Sequence, residues 1–239
     1  MDAWTKFLTV YNFDEKMRHG AMGDGGYVIG SLPGCYDCYI SAGVGDDESF
    51  SRDFIKFNNM SAENSYAFDG SVADFPWRFT RDITFMKKHI TSSGDLAFLT
   101  SKYDNIFLKM DIEGHEFNVF NSFDESTMNK MKQIVVEVHG LMDDTWWEKW
   151  GLEKTCSTDD KIKFLEKMTK THYLIHAHAN NGEPVNKGIP VVIELTYVNK
   201  KHYPDLPYVN KKRLPIANVD FPNHSWVPEH QLNYPPFVN

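Results

Sequence analysis

The sequence predicts one α/β domain built around a largely parallel sheet, and three observations carry that prediction. Its 239 residues are 41% hydrophobic and 14% aromatic, enough to bury one sizeable core. Strand-like and helix-like segments alternate from Tyr36 onward. Two mostly apolar segments, 105–112 and 133–140, carry polar residues at their carboxyl ends, as central parallel strands covered on both faces do.

In chain order, YDCYISA over 36–42 is rich in aromatic and β-branched residues and runs into Gly43-Val44-Gly45, which reads as a strand followed by a tight turn. From Ser49 to Phe57, Phe50, Phe54 and Phe57 recur at helical spacing, with Ser49 available as a cap. Residues 64–70, ending at Asp69 and Gly70, form a short second strand, and 82–90 a third. Next come strand 105–112, a turn at Gly114, helix 116–123 and strand 133–140. An aromatic stretch over 143–150 precedes a helix over 159–170 and two last strands, 172–181 and 191–198.

From Asn199 on, seven of the eleven prolines accompany Tyr203, Tyr208, Phe221, Trp226, Tyr234 and Phe237 without a glycine. An extended arm packed on the domain is expected, with a partly disordered peptide as the competing reading. The expected organisation is an N-terminal extension (1–35), a core (36–198) and this arm (199–239).

Thirty-three Asp and Glu against twenty-five Lys and Arg leave a net charge of −8, which repels phosphate backbones and anionic membranes and argues against a nucleic-acid partner. No window approaches the ~18 unbroken apolar residues of a spanning helix. The opening MDAWTKFLTVYNFDEK has an acid at position 2 and breaks its apolar character at Thr5, Lys6 and Thr9, so it does not read as a secretion signal. A cytoplasmic, reducing compartment is expected. Cys35 and Cys38 form a C-x-x-C, but only Cys156 remains to complete a zinc set, and the motif leads into a strand rather than a helix; packing roles are expected.

The turn after the first strand is the most informative segment. Gly43 and Gly45 let a backbone approach a ligand at the carboxyl edge of the sheet. Glu48 stands where a dinucleotide fingerprint has its third glycine, and Asp46, Asp47 and Glu48 crowd the place a pyrophosphate needs bare amides. A phosphate-free cofactor with a cationic centre, S-adenosylmethionine, suits this turn better. Asp69, twenty-four residues past Gly45, is placed to accept from a ribose diol. The plain alternative is a solvated acidic helix start.

Asp111 and Glu137 end two buried strands, with Glu113, His115 and His139 close by. Alternation puts Lys109 with Asp111, and Glu137 with His139, on common faces. A purely structural pairing of Lys109 with Asp111 or Glu137 is the alternative.

Five blocks in order along the chain resemble the FkbM-like family of S-adenosylmethionine-dependent methyltransferases. They are DGGYVIG (24–30), YISAGVGDDESFS (39–51), LKMDIEGHE (108–116), IVVEVHG (134–140) and HAHANN (176–181), the third being the most specific. The resemblance implies a Rossmann-like sheet of seven strands, mostly parallel with an antiparallel last strand, and helices on both faces. It also implies S-adenosylmethionine at the carboxyl edge and methylation of a hydroxyl, often on a sugar or glycan. Carried across, Gly43, Gly45, Asp46, Asp47 and Ser49 face the cofactor, Asp69 holds its ribose, and Asp111, Glu137 and His139 line the transfer site. Where the family commonly has a small residue this chain has His115.

An aliphatic hydroxyl does not ionise at neutral pH, so its proton must be taken during transfer or its pKa lowered by a cation. His139 is the preferred base, with His115 and His178 behind it. Alternatively Asp111, Glu137 and His139 hold Mg²⁺ or Mn²⁺, a role that competes with base catalysis at His139. His178 and Asn181 are expected at the acceptor, as are Trp146 and Trp147, although core packing is equally open to two of Trp146, Trp147 and Trp150. Asp24 and Tyr27 are polar handles in DGGYVIG, which also fits a simple hairpin turn. The expected partner is a carbohydrate or other small hydroxyl-bearing acceptor, with glycosyltransferases fused to the chain or acting beside it. A small non-sugar diol and a non-catalytic cofactor-binding module are the rival readings.

Overall fold

Three strands with every residue buried form the middle of the sheet, and their sequences are mostly apolar, the longest also burying Lys132, Gln133, Glu137 and His139. The computed structural model describes residues 3–74, 76, 82–203 and 205–239. Met1, Asp2 and Pro204, used above in reading the two ends of the chain, lie outside the described residues.

The chain begins with a 3-10 turn (Ala3–Leu8) and an antiparallel hairpin, β1 (Lys16–His19) and β2 (Tyr27–Gly30), in which His19 faces Tyr27. The glycines of DGGYVIG make the hairpin loop, with Gly25 at φ +82°. There follow β3 (Cys38–Ala42), α1 (Ser49–Phe57), β4 (Ser65–Phe68), β5 (Thr84–Met86), α2 (Ala97–Thr100) and β6 (Ile106–Met110). Then come α3 (Glu116–Ser122), α4 (Glu125–Met128), β7 (Met131–His139), α5 (Trp146–Lys149) and α6 (Thr158–Thr171). The chain ends its regular structure with β8 (His172–Ala179), a small hairpin of β9 (Val185–Asn186) and β10 (Ile189–Pro190), and β11 (Val192–Asn199).

The main sheet has the order β5-β4-β3-β6-β7-β11-β8. Neighbours from β5 to β7 are parallel, and β11 is antiparallel to both β7 and β8. This is the Rossmann-like sheet expected from the sequence: seven strands, mostly parallel, with the last one reversed.

Local sequence explains the helix ends. Ser157 caps α6 by accepting from the Asp160 N–H while Asp160 reaches back, a capping box. In α1 the expected cap is displaced: Glu48 holds the cap position, and Ser49 Oγ accepts instead from the Ala21 N–H at 2.8 Å, tying the hairpin loop to the helix. The buried face of α1 is Phe50, Phe54 and Ile55, with Phe54 4.1 Å from the Phe107 ring. Phe57, expected on that face, is 60% exposed because the helix ends there and its ring meets His19 at the edge of the cluster.

Beyond β11 the chain packs back onto the core through buried Leu214, Leu232 and Phe237. Buried polar contacts fix it: His176 to Asp220 at 2.8 Å, and Asn223 to Glu194 at 2.8 Å. Cys38 and Cys156 are buried, whereas Cys35 is exposed and has no packing role; none of the three is in a disulfide. Among the described residues no helix is long and apolar enough to cross a membrane.

Candidate functional site

At the carboxyl end of β3 the chain turns through Gly43 (φ +81°), where a Cβ would collide with the Asp111 carbonyl, and Gly45 (φ +58°), which faces open space. Asp69 shapes this turn from within. Its Oδ2 accepts from the Val44 and Gly45 N–H groups at 2.9 and 3.0 Å, and its Oδ1 from Ser71 N–H and Oγ at 2.7 and 2.6 Å. Burial opposes ionisation of this carboxyl, but the Ser71 and backbone donors outweigh it and hold the pKa well below the usual carboxylate range. The amides a pyrophosphate would need are thus already occupied by a carboxylate. A ribose on Asp69 would share those oxygens with Ser71.

Three more acids surround the turn. Asp46 and Asp47 are exposed, and Asp47 Oδ1 accepts from the Ser49 N–H at 2.7 Å. Glu48 is buried, and its Oε1 has no hydrogen-bond partner among the described residues; burial pushes its pKa up to about 8, against the pull of Lys109. Lys109, also buried, donates to Gly43 O at 2.8 Å and lies 3.8 Å from Asp111 Oδ2.

Asp111 and Glu137 meet at one hydroxyl. Tyr27 Oη, from the hairpin, lies 2.9 Å from Asp111 Oδ2 and 3.2 Å from Glu137 Oε2. A phenol carries one proton and cannot donate to both. Burial, then the Asp111 charge, raises the Glu137 pKa far above normal, so Glu137 keeps its proton and supplies the second bond. Asn180 Nδ2 donates to its other oxygen at 3.0 Å.

His139 has a different partner. Its Nδ1 lies 3.0 Å from Oε1 of Glu116, a fully buried carboxylate that also accepts from the N–H groups of Ile112 (2.9 Å) and Gly114 (3.1 Å). Nε2 points the other way, 3.9 Å from Asp111 Oδ1 and 3.5 Å from Glu113 Oε2. Burial would lower the His139 pKa; Glu116 above all, with Asp111, raises it well above the usual imidazole value. Glu113 is held at φ +54° beside Gly114 at φ +94°, a turn made tight because the Trp147 ring occupies the space of a Gly114 side chain.

Three cavities converge here, and Asp111 and Glu113 line all of them. One of about 440 Å³ is walled by Asp24, Glu137, His139, Trp146, Trp150 and Asn180, with His224 of the C-terminal segment. A second, of about 540 Å³, is walled by Phe68, Asp69, His89, Ile90 and His115. The third, of about 440 Å³, runs along the acid turn from Gly43 to Asp47, past Lys109 and Asp24.

The structure therefore gathers Gly43, Gly45, Asp46, Asp47, Asp69, Asp111, His115, Glu137, His139, Trp146 and Asp24 along one cleft. It does not bring the other expected residues to the lining of these cavities. Ser49 supports the hairpin loop, and Tyr27 reaches the cleft only through its bonds to the two carboxyls. Trp147 is fully buried beneath Gly114, and exposed Trp150 takes the cavity wall. His178 is sealed between Glu194 (3.1 Å) and Glu229 (3.3 Å). Asn181 clamps the C-terminal segment through the backbone of His224 and Val227. Two residues with no role assigned from the sequence stand at the centre, Glu113 and Glu116, beside Asn180, which the sequence offers as a contact to an acceptor or cofactor. Glu113 carried one signal, its place just before the turn glycine Gly114.

A mostly parallel sheet with an acid-lined cleft at its carboxyl edge and a reversed last strand defines a Rossmann-like methyltransferase. The profile of the Methyltransferase FkbM domain matches residues 11–175, more than half of the chain. The chain belongs to the FkbM methyltransferase family. No curated protein matches it. Among solved structures, one described as "Putative hemolysin from Streptococcus thermophilus" aligns at 13% identity with a TM-score of 0.38, over 69% of this chain and 60% of that one. The chain spans less than two thirds of that protein, and at this score the likeness says nothing of function.

Proposed function

We propose that the chain is an S-adenosylmethionine-dependent O-methyltransferase acting on a hydroxyl of a sugar or glycan, assisted by a divalent cation such as Mg²⁺ or Mn²⁺. The observation that carries this reading is the convergence of the three cavities on Asp111, which joins the acid turn to the imidazole of His139. Occupied amides and a ring of carboxylates at Gly43 to Asp47 suit a cationic cofactor and repel a diphosphate. When bound, S-adenosylmethionine supplies a methyl group on positively charged sulfur.

The chain's own residues then have two tasks, alignment and proton handling. Trp150, 56% exposed at the rim of the acceptor cavity, offers a flat apolar face to a sugar ring, and Asn180 and Asp24 offer polar edges. His139 faces the acceptor with Nε2, its Nδ1 fixed on Glu116, and either takes the acceptor proton or ligates the cation that lowers the hydroxyl's pKa, since one atom cannot do both. Because Glu116 above all holds a proton on His139, Nε2 is freed for either role only as pH rises, and transfer should increase with pH. The acceptor itself would come from glycosyltransferases acting beside the enzyme.

Calorimetry with S-adenosylmethionine, S-adenosylhomocysteine and NAD, followed by labelled-methyl incorporation on a panel of oligosaccharides and small diols, tests the proposal. Binding of the first two and labelling of a saccharide are expected, with labelling lost in Asp111→Ala. Binding of NAD alone would overturn the cofactor assignment, and labelling confined to non-sugar diols would overturn the acceptor.

A further inference from the structure

We propose that Asp111, Glu113 and His139 form a divalent-cation site at the junction of the cofactor and acceptor cavities, and that its acceptor-facing positions take the two oxygens of a vicinal diol. The proposal deepens the methyl-transfer reading, on which it rests for the identity of the acceptor cavity.

The donor atoms are already gathered. One from each residue lies within 4.8 Å of the other two, and His139 Nε2 stands 3.9 and 3.5 Å from oxygens of Asp111 and Glu113. Adjacent ligands of an ion with bonds of ~2.1 Å are ~3 Å apart, so closure needs side-chain shifts on the order of one ångström. Two carboxylates and an imidazole suit Mn²⁺ somewhat better than Mg²⁺.

A crowd of acids alone would not define a site; the imidazole does. His139 is 5% exposed, its Nε2 makes no hydrogen bond among the described residues, and that atom faces the cavity. Its other nitrogen is fixed by Glu116, which is itself locked by the amides of Ile112 and Gly114. This carboxylate–imidazole arrangement sets ring orientation and leaves Nε2 as the ligating atom, the usual support behind a metal-bound histidine. Glu116 is a positioning residue in this scheme.

Glu137, expected from the sequence as the third ligand, is occupied elsewhere. Asn180 takes one of its oxygens and Tyr27 the other. Glu113 replaces it because the turn at Gly114 swings the Glu113 side chain back over the end of β6, next to His139. Three protein ligands leave roughly three positions of an octahedral ion open. Adjacent hydroxyls of a sugar would fill two of them, and the bound oxygen would lose its proton more readily.

Mn²⁺ titration of the full chain, followed by the electron paramagnetic resonance of free Mn²⁺ without cofactor or acceptor, tests the site. One ion per chain is expected, weakened at least tenfold in Glu113→Gln and Asp111→Asn and changed less than twofold in Glu137→Gln. Glu113 is exposed, so its variant should fold, and circular dichroism checks this; Glu113→Ala provides a second variant. No Mn²⁺ binding by the wild type, or binding as tight as wild type in both Glu113 variants, would overturn the proposal. Calorimetry with S-adenosylmethionine separates the two readings: a chain that binds Mn²⁺ but not the cofactor loses the methyltransferase proposal and keeps the cation site.

Discussion

Tyr27 Oη lies 2.9 Å from Asp111 Oδ2, joining a hairpin that precedes the main sheet to the tip of its central strand β6. Burial, then the charge of Asp111, pushes the phenol pKa far above 10, so Tyr27 remains a donor at any working pH. Tyr27→Phe leaves two carboxyls facing each other without the shared hydroxyl. Thermal or urea denaturation should show a loss of about 1–2 kcal/mol. Methyl incorporation should fall more than S-adenosylmethionine affinity; a variant with wild-type activity would remove Tyr27 from the support of the site.

The two turn glycines should respond differently to alanine. At Gly43 the new Cβ meets the Asp111 carbonyl, so Gly43→Ala should displace Asp111, cost more than ~2 kcal/mol and abolish cofactor binding. At Gly45 there is open space, and only the positive φ is penalised, by ~1 kcal/mol. Paired denaturation and calorimetry on the two variants check this, and equal losses would contradict the geometry.

Glu48 gives a pH dependence of stability. Its carboxyl titrates near 4.5 when unconstrained and at about 8 in the fold, because burial disfavours its charge. Between those values the folded chain holds a proton that the unfolded chain has lost, so this residue's contribution to stability falls as pH rises from 4.5 to 8. Glu48→Gln should remove that decline and be more stable than wild type at pH 9 by ~2–4 kcal/mol. Urea denaturation at pH 5 and pH 9 measures the difference, which should be small at the lower pH.

Adjacent tryptophans separate packing from recognition. Trp147→Ala empties the space under Gly114 and should cost ~3–5 kcal/mol. Trp150→Ala should leave stability within ~0.5 kcal/mol and raise KM for a saccharide acceptor while leaving cofactor affinity unchanged. Acceptor kinetics identical to wild type would remove Trp150 from the acceptor wall.

The fold was legible because β3, β6 and β7 are buried on both faces and so carry mostly apolar residues, while the polar residues at and beyond their ends mark the carboxyl edge. The acid turn was legible for a similar reason, since Asp46, Asp47 and Glu48 directly follow the glycines. What could not be read was which polar groups are already occupied. Glu137 and His139 alternate correctly on β7, yet Tyr27 and Glu116, distant in sequence, decide that one is tied down and the other faces the cavity. His178 and Asn181 look like acceptor contacts until the C-terminal segment supplies Glu229, His224 and Val227 as their partners. Long-range pairing of this kind leaves no local pattern in a single sequence.

The late strand β11, wedged antiparallel between β7 and β8, also sets the order in which the chain can mature. During synthesis β8 emerges with an unsatisfied edge and can join the sheet only once residues 192–199 have left the ribosome. Nascent chains halted before residue 192 should then be cut readily by protease within 172–179, and chains halted well beyond 199 should resist.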